Sequence, residues 1–370
     1  MKKSNYFYAN LIYFIIILGF FAIRLLSYFD VLSFMNGNEE YLLGSILQIG
    51  LMFILPVFLF SILKKQKPLQ TLKHYGYKKI SIKAIIISII IGLIVFVLNM
   101  CIASFFNFVI TLLGYEKLGT ATTSTEYPLY MLFVNLLMTA VLPAICEETT
   151  HRGLLLKNYS SLGFKKAILI SGLLFGLTHL NIEQFFYATL IGFLLGIITV
   201  LCGNIFPAII IHFINNAINV LISYFTATSK TFNYYYEALF NQISTGNFFL
   251  VVIGIFVVIT ILILLLAYLI YKLFESTAVK ELKKVTEELS RKKLRDELMG
   301  ELQPETISSD KVPMLIQREN KYFNIYIPAE SLGFPIKQTY VPSLKEKTVF
   351  FGMLTLTSLL TLFTFIWNIL

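Results

Sequence analysis

Two neighbouring carboxylates, Glu147 and Glu148, stand five and four residues before Arg152 in the run Leu142-Pro-Ala-Ile-Cys-Glu147-Glu148-Thr-Thr-His151-Arg152-Gly153. On a helix, Glu148 and Arg152 are i, i+4 and share a face, the spacing of an internal ion pair. Glu147 lies about 100° around the same helix, free to face a cavity and to move protons. Two further polar motifs follow, Phe175-Gly-Leu-Thr-His179 and His212-Phe-Ile-Asn215-Asn216, with Asn219 roughly on the face of His212 and Asn216. The chain has 4 His residues, and three of them, His151, His179 and His212, lie in or beside these motifs. Glu147, His179, His212 and Asn216 supply a general base, imidazoles and an amide donor. These are the parts that activate water and hold an oxyanion in amide hydrolysis. Each motif also has a plainer reading: a helix end at an interface, a structural histidine, an amide ladder between helices.

The segments that carry these residues are apolar. Of 370 residues, 57% are hydrophobic and only 14% charged, and the mean hydropathy is +0.76. That is too little charge to clothe a water-soluble protein of this length. Runs at 7–28, 41–63, 84–113, 128–147, 166–180, 185–202, 205–224, 248–272 and 349–370 approach or exceed the ~20 residues of a membrane-crossing helix. The fifth is short. The fold expected is an all-α, polytopic transmembrane bundle of about eight core spans plus one C-terminal span. Charged groups inside such a bundle cost several kcal/mol unless paired or solvated, so each needs a reason to be there.

The net charge of +9 is concentrated in alternate loops, which indicates membrane orientation and excludes a nucleic-acid-binding face. Lys64, Lys65, Lys67, Lys73, Lys78, Lys79 and Lys83 follow the second run, and Arg152, Lys157, Lys165 and Lys166 follow the fourth. Asp30–Glu40 has no basic residue, and 226–247 has only Lys230. The pattern predicts a multi-pass protein of the cell membrane with a cytoplasmic N-terminus; Arg24, near the outer end of the first run, fits it poorly. Cys101, Cys146 and Cys202 lie in apolar stretches without metal-ligand spacing and read as small buried side chains.

Five regions follow: N-terminal spans at 1–127, a polar-motif core at 128–226, an outer loop and eighth span at 227–272, a charged extension at 273–347, and a last span at 348–370. In the extension, Leu282, Val285, Leu289, Leu298 and Leu302 form one stripe of a cytoplasmic amphipathic helix over 279–302. Residues 311–340, with three prolines and the alternation Tyr322-Phe-Asn-Ile-Tyr-Ile327, predict a short β-hairpin or irregular segment.

The three motifs, in this order and on successive spans, resemble those of the CAAX protease and bacteriocin-processing (CPBP, or Abi) family of intramembrane endopeptidases, related to the eukaryotic Ras-converting CAAX prenyl endopeptidase. The resemblance spans roughly 128–226. It implies a peptide or membrane-protein substrate in contact with membrane lipid, cleaved at the cytoplasmic side of the bilayer. Glu147 and His179 would activate water, and His212 with Asn216 would hold the oxyanion. Glu148 and Arg152 would support Glu147. Thr149-Thr150-His151 departs from the bulky apolar residues usual in the family. His151 is i+4 from Glu147, a spacing that resembles a zincin helix with its first His replaced by Glu. This leaves zinc open as a cofactor, with ligands from Glu147, His179 and His212, or from His151. Intramembrane Glu, Arg and His also build the relays of proton-coupled transporters. A non-catalytic immunity or scaffold protein is the third alternative.

Overall fold

The computed structural model describes residues 5–29, 31, 39–115, 127–245, 248–279, 287, 311–318, 321–328 and 342–367. Helix α1 is Asn5–Tyr28. The second span joins α2 (Glu39–Ser45), a π-helical stretch (Ile46–Ile54) and α3 (Leu55–Lys64). The basic loop contains α4 (Pro68–His74), and α5 (Ile82–Leu112) crosses next. The fourth span is compound: α6 (Leu129–Asn135), π-helical Leu136–Val141, α7 (Leu142–Glu148), π-helical Thr149–Leu156 and α8 (Lys157–Tyr159). Then come α9 (Phe164–Thr178), α10 (Ile182–Cys202), α11 (Phe206–Thr228), α12 (Lys230–Thr245), α13 (Phe248–Phe274) and α14 (Leu344–Trp367).

The all-α polytopic bundle expected from sequence is the fold observed. Among the described residues, eight helices are long and apolar enough to cross a membrane. The segment expected to be short is α9, whose 15 residues span about 22 Å against the ~30 Å of a hydrocarbon core. Helix α12 occupies a stretch read from sequence as loop. It shows Tyr234 and Tyr235 largely exposed, a composition suited to a bilayer interface. The extension contains the expected hairpin, β1 (Lys311–Arg318) antiparallel to β2 (Lys321–Pro328), with Lys311 opposite Pro328 and Arg318 opposite Lys321. The amphipathic helix expected over 279–302 lies almost wholly outside the described residues.

Local chemistry explains the irregular spans. Pro56 follows the first π-helical stretch and Pro143 the second. Each ring removes one backbone donor, and a wide turn beside it redistributes the hydrogen bonds that lipid cannot supply. Asn181 caps α10 by accepting from the Glu183 N–H at 2.8 Å, and Ser81 caps α5. Just before Asn181, Leu180 takes a left-handed φ of +48°, which turns the chain sharply from α9 into α10.

Helices α9 and α10 touch backbone to backbone. A Cβ built on Gly192 would meet the Gly172 carbonyl oxygen at 2.8 Å, and one on Gly172 would meet the Phe193 nitrogen at 2.8 Å. Small residues permit this approach, and in lipid, where no hydrophobic force drives helices together, close packing supplies much of the association. One core cluster joins α1, α3, the second half of the fourth span and α9 around Tyr13, Leu154, Leu155 and Leu174. A second joins α5, α10 and α11 around Ile91, Leu195 and Ile211. The polar motifs lie between the two.

Candidate active site

Sequence reading ended the fourth span at Glu147, near an interface. The helix instead continues to Leu162, and every residue from Glu148 to Leu156 is buried. Glu147 is therefore deep in the bundle. This depth is bought with hydrogen bonds for each polar group around the π-helical stretch. The Thr149 hydroxyl donates to the Ile145 carbonyl at 2.6 Å, and the Thr150 hydroxyl to the Met52 carbonyl at 2.6 Å. The Tyr77 hydroxyl, 2.6 Å from Thr149, is pushed up to about 12 by burial, so it stays protonated and donates. Gly153 leaves room for the Tyr75 ring, which a Cβ would meet at 2.8 Å.

Glu148 is fully buried, and its Oε1 accepts from Arg152 Nη1 at 2.8 Å and from His212 Nδ1 at 2.9 Å. Arg152 Nη2 donates to the Gly192 carbonyl at 3.0 Å, which ties the fourth span to the α9–α10 contact. The i, i+4 pair expected from sequence is present. The third partner, His212, was hidden because nothing in the spacing of motifs on separate spans says which carboxylate it meets.

Glu147 has a different environment. Partly buried, its Oε1 accepts from Gln48 Nε2 at 2.9 Å. It shares with His179 a cavity of about 200 Å³, whose wall also includes Phe20, Arg24, Gln48 and Thr178. The cavity lies where α9 stops short of a full crossing. Its level follows from α1, whose Asn5 accepts from Lys64 at 2.6 Å at the basic end of the bundle. At ~1.5 Å per residue, Tyr13 is about 12 Å from that end and Arg24 about 28 Å. Tyr13 touches Thr178 at the cavity floor, so the space extends away from the basic loops toward Arg24.

His179 Nδ1 faces the Phe175 carbonyl oxygen at 2.9 Å. A nitrogen in that position must carry its proton, which leaves Nε2 of the neutral ring with a lone pair. His151 does not meet the Glu147 carboxylate. Its Nδ1 reaches back to the Glu147 backbone carbonyl at 2.9 Å, and its Nε2 lies 3.1 Å from the Thr178 hydroxyl and 3.4 Å from that of Tyr13. The i+4 spacing served a local side-chain-to-backbone bond. Asn216 accepts through Oδ1 from Asn215 Nδ2 at 3.1 Å, and Asn215 in turn accepts from Asn99 at 3.5 Å.

Phe175 is the hub that sequence reasoning passed over, although it stands at the head of the His179 motif. The rings of His151, His179 and His212 pack edge-on to it at centroid distances of 5.0, 5.3 and 5.6 Å. Arg152 Cζ lies 4.5 Å from its centroid, within cation–π range.

Residues 129–218 match the family described as type II CAAX prenyl endopeptidase Rce1-like. Residues 129–218 are an Rce1-like domain. A search of curated proteins and a search of solved structures return no match. The Rce1-like stretch contains every one of Glu147, Glu148, His151, Arg152, His179, His212 and Asn216, and the family is one of endopeptidases.

The zinc alternative can be tested on the donors of the Rce1-like domain. Among the described residues, no group of three His, Cys, Asp or Glu side chains is arranged to hold a metal ion. His212 turns its Nδ1 to Glu148, and both ring nitrogens of His151 face protein oxygens. The proposed ligand set does not fit this arrangement.

Proposed function

We propose that the chain is an intramembrane endopeptidase in which Glu147 activates the attacking water. The observation that carries this reading is the cavity shared by Glu147 and His179, large enough for several waters at ~30 Å³ each. The His179 tautomer is set by the Phe175 carbonyl. Water in the cavity gives a proton to the Glu147 carboxylate as its oxygen adds to the substrate carbonyl carbon. The tetrahedral intermediate then collapses, the C–N bond breaks, and the proton passes to the leaving amine. His179 Nε2 accepts a hydrogen bond from the same water and orients it. His212, held through Glu148, and Asn216 keep the oxyanion role that the resemblance implies, although neither lines the cavity of Glu147 and His179.

With the N-terminus and the lysine-rich loops on the cytoplasmic face of a cell membrane, the cavity lies in the half of the bundle away from those loops, so cleavage in this reading falls toward the outer half rather than at the cytoplasmic side that the resemblance implies. Arg24 then stands near the outer interface beside the substrate path, which gives a reason for the one basic residue that fits the orientation pattern poorly. The substrate is a membrane-embedded peptide or protein segment.

Cleavage of a quenched, membrane-anchored peptide library by the purified protein in vesicles tests the mechanism. Wild type should release new peptide ends, and Glu147→Ala and His179→Ala should not. Full activity in both variants sinks the mechanism. Solute uptake without new ends would favour a transporter.

A further inference from the structure

A second cavity, of about 90 Å³, lies at the basic end of the bundle. Lys78, Lys157, Ser160, Asn204 and the buried Arg152 are among its walls, and none of its described wall residues is a carboxylate. The architecture around it is fixed. Gly203, with a left-handed φ of +58°, would place a Cβ 3.7 Å from Lys78 Nζ. Asn204 Nδ2 donates to the Lys78 and Lys79 carbonyls at 3.3 and 3.2 Å, and the Ile205 N–H donates to the Gly76 carbonyl at 3.0 Å. These bonds lock the basic loop onto the α10–α11 turn.

Arg152 forms the inner wall. It is 1% exposed, and although Nη1 and Nη2 are bonded, its Nε has no partner among the described residues. A buried donor without a partner costs about 1–3 kcal/mol. Two lysines, a serine hydroxyl and this guanidinium together form a site for a compact oxyanion. Its position beside the lysine-rich face matches the basic pockets between helices that take lipid head groups.

We propose that this crevice binds a phosphate group, presented by an anionic lipid of the adjacent leaflet or free in solution. Lys78 and Lys157 grip the phosphate at the rim, and Arg152 faces it from within. Because Arg152 also holds Glu148, and Glu148 holds His212, occupancy reinforces the sealed side of the Rce1-like domain.

The test uses the full chain in nanodiscs with equal phosphatidylglycerol and phosphatidylcholine, reading retained lipid by native mass spectrometry and Tm by fluorescence. Wild type should retain phosphatidylglycerol about 10-fold over phosphatidylcholine. The charge reversal Lys78→Glu with Lys157→Glu should bring the two lipids to parity, while Lys78→Arg with Lys157→Arg keeps the preference. Lys79→Glu with Lys83→Glu changes the charge of the same loop equally without touching the crevice and should behave as wild type. Equal loss in both reversed pairs would mean diffuse surface charge and overturn the site, as would no lipid preference in wild type together with no Tm shift on adding inorganic phosphate. A Tm rise with inorganic phosphate alone, absent in Lys78→Glu/Lys157→Glu, supports the site with free phosphate as its ligand. No arm depends on peptide cleavage, so the outcome is separate from that of the endopeptidase reading.

Discussion

Glu147 and Glu148 are adjacent in the chain and opposite in circumstance. Glu148 is sealed between Arg152 and His212. Glu147 faces a cavity, with a glutamine amide as its only side-chain hydrogen-bond partner among the described residues. A carboxylate that trades its solvation for a guanidinium and an imidazole is committed to structure. One that keeps a cavity and a neutral partner can still exchange protons. Removing the first should therefore cost stability, and removing the second should cost turnover.

The largest effect expected is Glu147→Gln, which removes the base and keeps the amide-sized shape. Cleavage should fall by roughly 10²–10⁴-fold, the usual contribution of a general base, with Tm within a degree or two of wild type. A comparable fall in Tm would erase the distinction between the two glutamates. Next is Arg152→Met, which leaves Glu148 buried without its cation. Breaking a buried pair from one side costs about 3–5 kcal/mol, read as loss of folded protein in detergent. Glu148→Gln combined with Arg152→Met should recover part of that loss, because the stranded charge is gone. Strict additivity in this double-mutant cycle would show that the pair is not coupled.

Gly172→Ala probes the scaffold behind the sealed side. Its new methyl would collide with the α10 backbone and push Gly192 away from Arg152. Overpacking of this kind costs roughly 1–3 kcal/mol. The decrease should appear in Tm before it appears in KM.

The sequence announced the bundle through apolar runs and lysine-rich loops, since both follow from the solvent a lipid bilayer provides. The Glu148–Arg152 pair was readable because both residues lie on one helix, where spacing dictates proximity. The His212–Glu148 bond joins spans 64 residues apart and depends on how α11 packs, which periodicity does not encode. The depth of Glu147 was obscured for a related reason: the polar run Glu147–Arg152 resembles a helix end, whereas Tyr77, Met52 and Thr178 from other elements satisfy it and allow the helix to continue. His151 illustrates the same limit, since its i+4 relation to Glu147 was real but was used by a backbone carbonyl. Arg24 was legible as an oddity, and only the cavity beside it supplied a context.

The smallest effect expected lies outside both sides, at the basic end, where His74 stacks on Phe60 at 5.7 Å with an interplanar angle of 9° and faces Asn158 Oδ1 through Nε2 at 3.1 Å. Burial, with Lys157 and Lys64 nearby, lowers its pKa below the ordinary 6.5, against the opposing pull of the Asn158 bond. Folding therefore favours the neutral ring. As pH falls below about 6.5 the unfolded chain takes up this proton more readily than the folded one, so stability is lost on acidification and is fully present above that value. Lowering pH from 7.5 to 5 should reduce the Tm of wild type more than that of His74→Phe, which keeps the stacked ring and has nothing to protonate. Equal slopes would remove His74 from the acid response. A shallower wild-type slope would reverse the sign of its shift.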